Sequence, residues 1–451
     1  MEQIERKSAE FEDFGRFQIE SRSFSKQFSG IYKARLSSLK AKVLKRARAK
    51  WSKHKVLHIV DLTKDEYEEV PSIIIGTLYK HQELKPSILK EMAEELQAVP
   101  QPSRLNYCST KDSLYLEDDV SRVKLVGNLT AEALVTGLIC AVCGHQTKDG
   151  SFWVAVEDVC YPGPYLRPLN QTPSSCAKDH DKFILLLSGL DFVNEADSIP
   201  MDLLREWITG SLGEEFVQEE AAKIVRVIIA GNSVRGLPKT FTRKGYFENK
   251  RKEALVNLEM HHSVHRLDKF ISKIAGSCSV TLMPGEFDPS CHSLPQHSLH
   301  PNILPISSRG KNLYGTTNPW IGKIGSRIVG GSSGQPIDDI MKVSNVDLSP
   351  LDWLEKTLEW QHFAPTAPDT LAEYPFDQAD PLVMNEIPNI YFVGNMKRYE
   401  TKLVQGIDRN DDSEGQPVRL ICIPKFSTSQ TAVLVDLDSL DTKPVSFGAV
   451  E

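Results

Sequence analysis

Between Lys182 and Leu437 the chain repeats apolar runs of strand length, and this repetition constrains its fold more than any other feature. The runs are KFILLLSGL, VRVIIAGN, SVTLMPGE, SRIVGGS, NIYFVGN, VRLICIPKF and TAVLVDL. Runs of about four to eight apolar residues bounded by Gly, Pro or Asn suit strands covered on both faces. Helix-period segments at Met201–Thr209, Arg251–Ala275 and Leu351–Trp360 alternate with them. Such alternation predicts a layered α/β domain, because each apolar face must bury against another layer. The acidic stretch DRNDDSEG near Asp408 reads as the loop of a surface hairpin.

Upstream the pattern differs. From about Val70 to Tyr161 come VPSIIIGTLYK, SLYLEDDVSRVKLVG, TGLICAVCGHQ and, after the Lys148-Asp149-Gly150 turn, FWVAVEDVCY. Four or five short strands in so small a span predict a closed barrel of the oligonucleotide-binding (OB) type. The helical stretch Pro86–Leu96 would be an insertion in it. Nearer the N-terminus, Ser23 stands where an N-cap would, and Phe24, Phe28, Ile31, Tyr32, Leu36, Leu39 and Val43 follow at three- and four-residue spacing. That is an amphipathic helix whose stripe must dock. Pro162, Pro164, Pro168 and Pro173 punctuate a stretch that reads as a linker. The expected organisation is therefore an α+β chain: an N-terminal helical segment at 1–58, a barrel at 59–165, a linker at 166–181 and an α/β sandwich at 182–451.

The longest apolar runs fall far short of the ~18 residues a membrane span needs, and MEQIERKSAEFEDFG lacks the basic-then-apolar order of a secretory leader. A reducing compartment and no membrane are expected. Cys140 and Cys143 form one close pair, but a zinc site needs two more ligands, and only His145, Cys160 and Cys176 lie nearby. Thiols packed in a strand are the simpler reading. A formal net charge of −7 argues against a surface that coats nucleic acid. One local exception runs from Lys33 to Lys55, with ten Lys or Arg and no Asp or Glu, including Lys45, Arg46, Arg48 and Lys50. This basic patch could meet phosphates or serve as a nuclear address; the solvated face of a helix is the blander alternative.

Three strands of the second domain end at a glycine: Gly189 after LLLS, Gly231 before Asn232, and Gly394 before Asn395. A fourth leads into Gly285-Glu286-Phe287-Asp288. Loops at such strand ends converge on one crevice. The set resembles the calcineurin-like metallophosphoesterases, which carry Asp-x-His, Gly-Asp, Gly-Asn-His-Asp and Gly-His-x-His at these places to hold two metal ions. Here Gly189 and Asp191 stand for the first Asp and His, and Asn232 for the bridging Asp. Glu286 and Phe287 replace Asn and His, although Asp288 is retained. Asn395 and Lys397 replace the last two histidines. Two cations ~3.5–4 Å apart need a bridging carboxylate and several neutral nitrogen donors, and a phenyl ring or an ammonium supplies neither. The resemblance thus implies a phosphodiesterase-like domain without metal ligands, cofactors or catalysis.

Other chemistry competes weakly. His261 and His265 share a helix face but lack the glutamate of a zincin helix. His292, His297 and His300 lie in a loop-like segment. GGSSG at Gly330–Gly334 matches a nucleophile elbow with Ser332 at its centre. Its partners would have to be His362 and one of Asp338, Asp339, Asp347 or Asp352, compressed into one short stretch of chain. An active phosphoesterase or a Ser332 hydrolase is the alternative to a binding role.

An OB barrel joined to a phosphodiesterase-like domain stripped of ligands resembles the small accessory subunits of replicative DNA polymerases. RSFSKQFSGIYKARL, LKPSILKEM, LMPGEFDPS, PTAPDTLAEYPF and FSTSQTAVLVDL point within these to the DNA polymerase delta/II small subunit family. The resemblance implies a nuclear, non-catalytic scaffold in replication and repair. Its partners would be the catalytic subunit of DNA polymerase delta, gripped by its C-terminal metal-binding module, and a third, clamp-binding subunit, with DNA met only through the complex. Outward aromatics such as Tyr115, Trp153 or Tyr161 could stack bases if they lie on the barrel's open face.

Overall fold

In the computed structural model, residues 5–19, 23, 25–63, 70–85, 105–147, 153–169, 181–193, 198–234, 246–407 and 414–448 are described. The chain opens with β1 (Phe11–Asp13), helix α1 (Ser29–Lys50) and β2 (Lys55–Leu57), then β3 (Ser72–His81), β4 (Ser113–Glu117), β5 (Arg122–Gly127), β6 (Ile139–Gln146) and β7 (Trp153–Cys160). Strands β3 to β7 pair in the order β3-β4-β5-β7-β6, and β6 returns to β3. Only β5 and β7 run parallel, which gives the closed OB topology. Period-two alternation buries Leu114, Leu116, Val123 and Leu125 inside the barrel. The expected helix at Pro86–Leu96 lies outside the described residues.

The run Ile73–Ile75 is buried on both faces because α1 covers the barrel's outside. Leu36, Leu39, Val43 and Ala47 of α1 pack on Ile73, Ile75, Ile139, Ala141 and Cys160. Ser23 is not its N-cap. The helix begins at Ser29, and Ser23 instead gives its backbone N–H to the Tyr374 hydroxyl at 2.5 Å. Phe28, 47% exposed, stands outside the buried stripe, which starts only at Ile31.

The second domain follows as β8 (Tyr165–Pro168), β9 (Phe183–Leu187), α2 (Ile199–Thr209), α3 (Glu215–Ala222), β10 (Ile224–Ala230), α4 (Tyr246–Ala275), β11 (Ser279–Met283), β12 (Leu313–Gly315), β13 (Trp320–Ile324) and β14 (Arg327–Ser332). It ends with α5 (Gln335–Val343), α6 (Pro350–Trp360), β15 (Ile390–Met396), β16 (Glu400–Ile407), β17 (Glu414–Pro424), α7 (Phe426–Ser429), β18 (Thr431–Asp436) and β19 (Thr442–Ser446). Two sheets form, ordered β12-β11-β10-β9-β18-β19 and β1-β13-β14-β15-β17-β16-β8. Between them Ile184, Leu186, Ile228 and Met283 meet Trp320, Val329, Ile390 and Phe392. On the outer face of the six-stranded sheet, Leu185, Val227 and Ile229 pack on Leu204, Trp207 and Ile271 of α2 and α4. Outside the seven-stranded sheet, Tyr391, Val393 and Leu420 pack on Ile337, Ile340, Trp353 and Leu358 of α5 and α6. The domain is four layers, helix-sheet-sheet-helix.

Two expectations about the joints need correction. The stretch read as a linker at 166–181 begins with a strand, since Tyr165–Pro168 pairs antiparallel with Val404–Ile407. Its proline is tolerated because the strand is at a sheet edge. Nor is the N-terminal segment only helical: β1 pairs with β13, and Arg6 donates to the carbonyls of Ala221 at 3.0 Å, Ile224 at 2.9 Å and Ile208. Three residues carry no readable period, so this arm is invisible to pattern analysis.

Barrel and sandwich share one core. Ile74, Leu78, Leu116 and Val142 of the barrel belong to the same buried cluster as Trp353, Leu358 and Phe363. Charged groups fix the seam. Arg35 of α1, fully buried, pairs with Asp380 at 2.6 Å and approaches Glu373 at 3.8 Å. It also donates to the carbonyls of Gly137 in the barrel and of Pro365 and Ala367 in the sandwich, at 3.2, 3.0 and 2.8 Å. Lys80 of β3, equally buried, donates to the Val343 carbonyl of α5 at 2.7 Å.

Although burial alone would raise it, the charge of Arg35 and the hydrogen bonds from His362 and Arg35 hold the Asp380 carboxyl well below its ordinary range. Burial and then the charge of Asp380 push Glu373 well above its own. His362 accepts the Ala364 N–H on Nδ1 at 3.1 Å, so its Nε2–H donates to Asp380 at 2.9 Å and the ring is neutral. Burial, then the charge of Arg35, lowers its pKa to about 4.

Removing one partner of a buried pair strands the other charge, so Arg35→Met is expected to cost about 3–5 kcal/mol in denaturant unfolding. The His362 pKa is depressed in the fold, so its contribution is complete above the ordinary value of ~6.5 and is lost as pH falls through ~6.5 to 4. His362→Gln should flatten the fall in stability across that window, measured as urea midpoints against pH.

Candidate functional site

The strand ends of β9, β10, β11 and β15 converge between the two sheets, and those of β9, β10 and β15 carry residues in the left-handed region. Gly189 has φ 59°, Gly231 φ 76°, and the non-glycine residues Asp191, Asn232 and Asn395 have φ 51°, 51° and 63°. Asn and Asp are the side chains that visit this region at least cost. The expected positions are thus brought together, but what fills the crevice is hydrogen-bonded amide.

Asp288, fully buried, accepts backbone N–H bonds from Gly285 at 2.7 Å, Ser233 at 2.8 Å and Val234 at 3.0 Å. Burial pushes its carboxyl up to about 6, and the three donors hold it from rising further. Its oxygens are committed to backbone. Asn232 Oδ1 accepts the Phe287 N–H at 3.1 Å. Asn395 Nδ2 donates to Ser333 O at 2.7 Å and Ala230 O at 3.1 Å, spanning the two sheets, and its backbone N–H reaches Ser188 Oγ at 2.8 Å. Asp191 receives the Ser427 hydroxyl at 3.1 Å on the exposed rim. Glu286 and Phe287 are half-buried, and Lys397 is exposed just past β15.

A second ring of amides, which sequence reasoning missed, closes the floor. Asn318 Nδ2 donates to Gln296 Oε1 at 2.7 Å and Ser333 Oγ at 2.8 Å, Ser333 N donates to Asn318 Oδ1 at 2.9 Å, and Gln335 Nε2 reaches Gln296 Oε1 at 2.9 Å. Gln296 and Asn318 come from separate loops and Ser333 and Gln335 from the junction of β14 and α5; only the polar Ser332-Ser333 after an apolar strand hinted at them. Side chains do not fit at two of these glycines. A Cβ at Gly189 would lie 2.8 Å from Asn395 Oδ1, and one at Gly285 would lie 2.3 Å from the Asn232 backbone nitrogen. Among the described residues no group of three or more His, Cys, Asp or Glu side chains could hold a metal ion.

The other candidates are dispersed. Ser332 is buried in β14 opposite Val393, while His362 is engaged by Asp380. Asp339 accepts from Thr370 at 2.5 Å and Asp352 caps α6 through Ser349, whereas Asp338 and Asp347 lie elsewhere on the half-buried and exposed surface. No Ser332 triad assembles among the described residues. Cys140, Cys143 and Cys160 are buried, and burial pushes the Cys140 thiol up to about 12; His145 faces Glu157 at 3.4 Å, and Cys176 lies outside the described residues. His261, His265, His292 and His300 are exposed and His297 is half-buried. Of the basic run, Lys45 and Arg48 are exposed. Arg46 lies over the Tyr165 ring at 5.0 Å and Lys50 pairs with Asp158 at 2.7 Å, so half of it docks the helix. Tyr161 packs edge-on against Trp360, the Trp153 side chain lies outside the described residues, and Tyr115 sits with Tyr79 beneath Arg122.

Two family models match the chain. Residues 27–158 match the DNA polymerase delta subunit OB-fold domain, and residues 184–402 match the DNA polymerase alpha/epsilon B-subunit. The chain is 36% identical to DNA polymerase delta subunit 2 of Drosophila melanogaster, covering 96% of this chain and 95% of that one. It is 38% identical to the DNA polymerase delta small subunit of Arabidopsis thaliana, over 98% and 96% of the two chains. With the small subunit of Saccharomyces cerevisiae the identity is 29%, over 94% and 90%.

Gly189→Asp should lower stability by about 1–3 kcal/mol, because it adds a side chain in a left-handed, occupied position. The variant and the parent chain should both show no stoichiometric manganese by elemental analysis. Ser332→Ala should leave a serine-directed fluorophosphonate unreactive as before.

Proposed function

Because the chain belongs to the family of DNA polymerase delta small subunits, we propose that it is a non-catalytic scaffold, the accessory subunit that holds such a polymerase together. The observation that carries this reading is the filled crevice. Asp288, Asn232 and Asn395 bond backbone groups, and Asn318 bonds Gln296, where a phosphoesterase would hold two metal ions. The sandwich resembles a calcineurin-like phosphodiesterase whose shape is kept and whose chemistry is gone. An interface needs only the shape.

The shared core supports the same role, since a barrel and a sandwich fused along α1, α5 and α6 offer partners one rigid surface. The proposed partners are the C-terminal metal-binding module of the catalytic subunit and a third subunit that carries a sliding-clamp motif. DNA is met through the complex: the barrel's Tyr79–Tyr115 pair is already covered by Arg122, which is itself paired with Glu117. Work in replication and repair places the chain in the nucleus.

Permanent partners bury on the order of 2,000 Å² or more. Co-expression with the catalytic subunit should therefore give a complex that survives gel filtration. Deleting the catalytic subunit's C-terminal module should release this chain, and inactivating its polymerase site should not. A chain retained without that module would refute the assigned contact.

A further inference from the structure

On the outer face of the six-stranded sheet, α2 and α4 diverge around an open cleft of about 370 Å³. Its floor is apolar: Phe192 and Phe270 are buried at the bottom, in ring contact at 5.4 Å, and Met201 and Ile306 form the sides. Ile306 is 40% exposed, and Ile199, two residues from Met201 at the start of α2, is 75% exposed. Ile306 is held there by construction. The buried Asp268 carboxylate accepts the Ile306 and Ser307 N–H groups, each at 2.8 Å, and the Ser307 hydroxyl at 2.6 Å, pinning the loop that presents the isoleucine.

The rim is basic. Arg266, Lys269 and Lys273 recur at three- and four-residue spacing along α4 and so share one face. Arg205 also lines the cleft, but Asp202 and Glu206 match its charge at 2.6 and 2.9 Å. Arg266 bonds the Val193 carbonyl and lies 5.7 Å from the Phe192 ring. Lys269 and Lys273 are exposed and have no acidic partner among the described residues.

Lysines without an acidic partner among the described residues, beside a sunken apolar floor, are complementary to a helix with one acidic and one apolar face. Nucleic acid fits less well. Its affinity comes from phosphate contacts and stacking on open rings, and here both phenyl rings are buried, at 6% and 5% exposure. We propose that this cleft docks an acidic amphipathic segment of a protein partner, with its apolar side chains on the Phe192–Phe270 floor and its carboxylates on Lys269 and Lys273.

The test uses the full chain and a fluorescein-labelled amphipathic peptide of about sixteen residues with leucines on one face and glutamates on the other. A lysine-for-glutamate counterpart and an oligothymidylate of similar length serve as competing probes in fluorescence anisotropy. The glutamate peptide should bind, and its affinity should fall at least about tenfold in Lys269→Glu/Lys273→Glu and several-fold in Ile306→Ser, with melting temperatures unchanged. All three positions are exposed, so the variants should fold. Absence of binding, or binding indifferent to these substitutions, would overturn the proposal. So would oligothymidylate binding that needs the lysines but not Ile306, or a self-association in ultracentrifugation that Ile306→Ser abolishes, which would assign the cleft to a second copy. The union with the catalytic subunit is read from a separate truncation, so failure of the one is distinguishable from failure of the other.

Discussion

A single guanidinium, that of Arg35, is the interaction on which the arrangement of the whole chain depends. It is taken wholly out of water at the place where α1, the barrel and the sandwich meet, and it touches all three. A buried cation is tolerated only where a charge and further acceptors compensate it. Asp380 supplies the charge and three carbonyls complete the fork. Because these acceptors come from positions 137, 365 and 367, the arginine is satisfied only when the parts are docked in one relation. Hydrophobic packing around it supplies adhesion; the arginine supplies the register.

The same logic explains the crevice. A metal centre must bring several deprotonated donors together and is stable only with its cations. This chain meets the same topological demand, four strand ends meeting between two sheets, with neutral amides and one carboxylate turned onto backbone N–H groups. Asn232 and Asn395 keep the left-handed turns that such strand ends require while contributing no negative charge. The crevice is part of the frame.

Much of this was legible in the sequence. The apolar runs beginning near Phe183, Ile224, Ser279, Arg327, Ile390 and Thr431 are strands, and the barrel's short strands were marked by alternation and turns. The crevice positions were readable because strand-end glycines and asparagines announce their own backbone geometry. What could not be read were features without local period. The arm at Phe11–Asp13 and the edge strand at Tyr165–Pro168 are stabilised by partners elsewhere in the chain. Arg35 looked like one more charge in a basic helix, and only its neighbours at 137, 365, 367 and 380 distinguish it. The amide ring of Gln296, Asn318 and Gln335 was hidden for the same reason.

If barrel and sandwich form one frame through this seam, they must melt together. Scanning calorimetry of the full chain at neutral pH measures this directly. A single transition whose calorimetric and van 't Hoff enthalpies agree is the predicted result, although a chain of this length would ordinarily unfold in parts. Two resolved transitions, with the barrel melting apart from the sandwich, would contradict it.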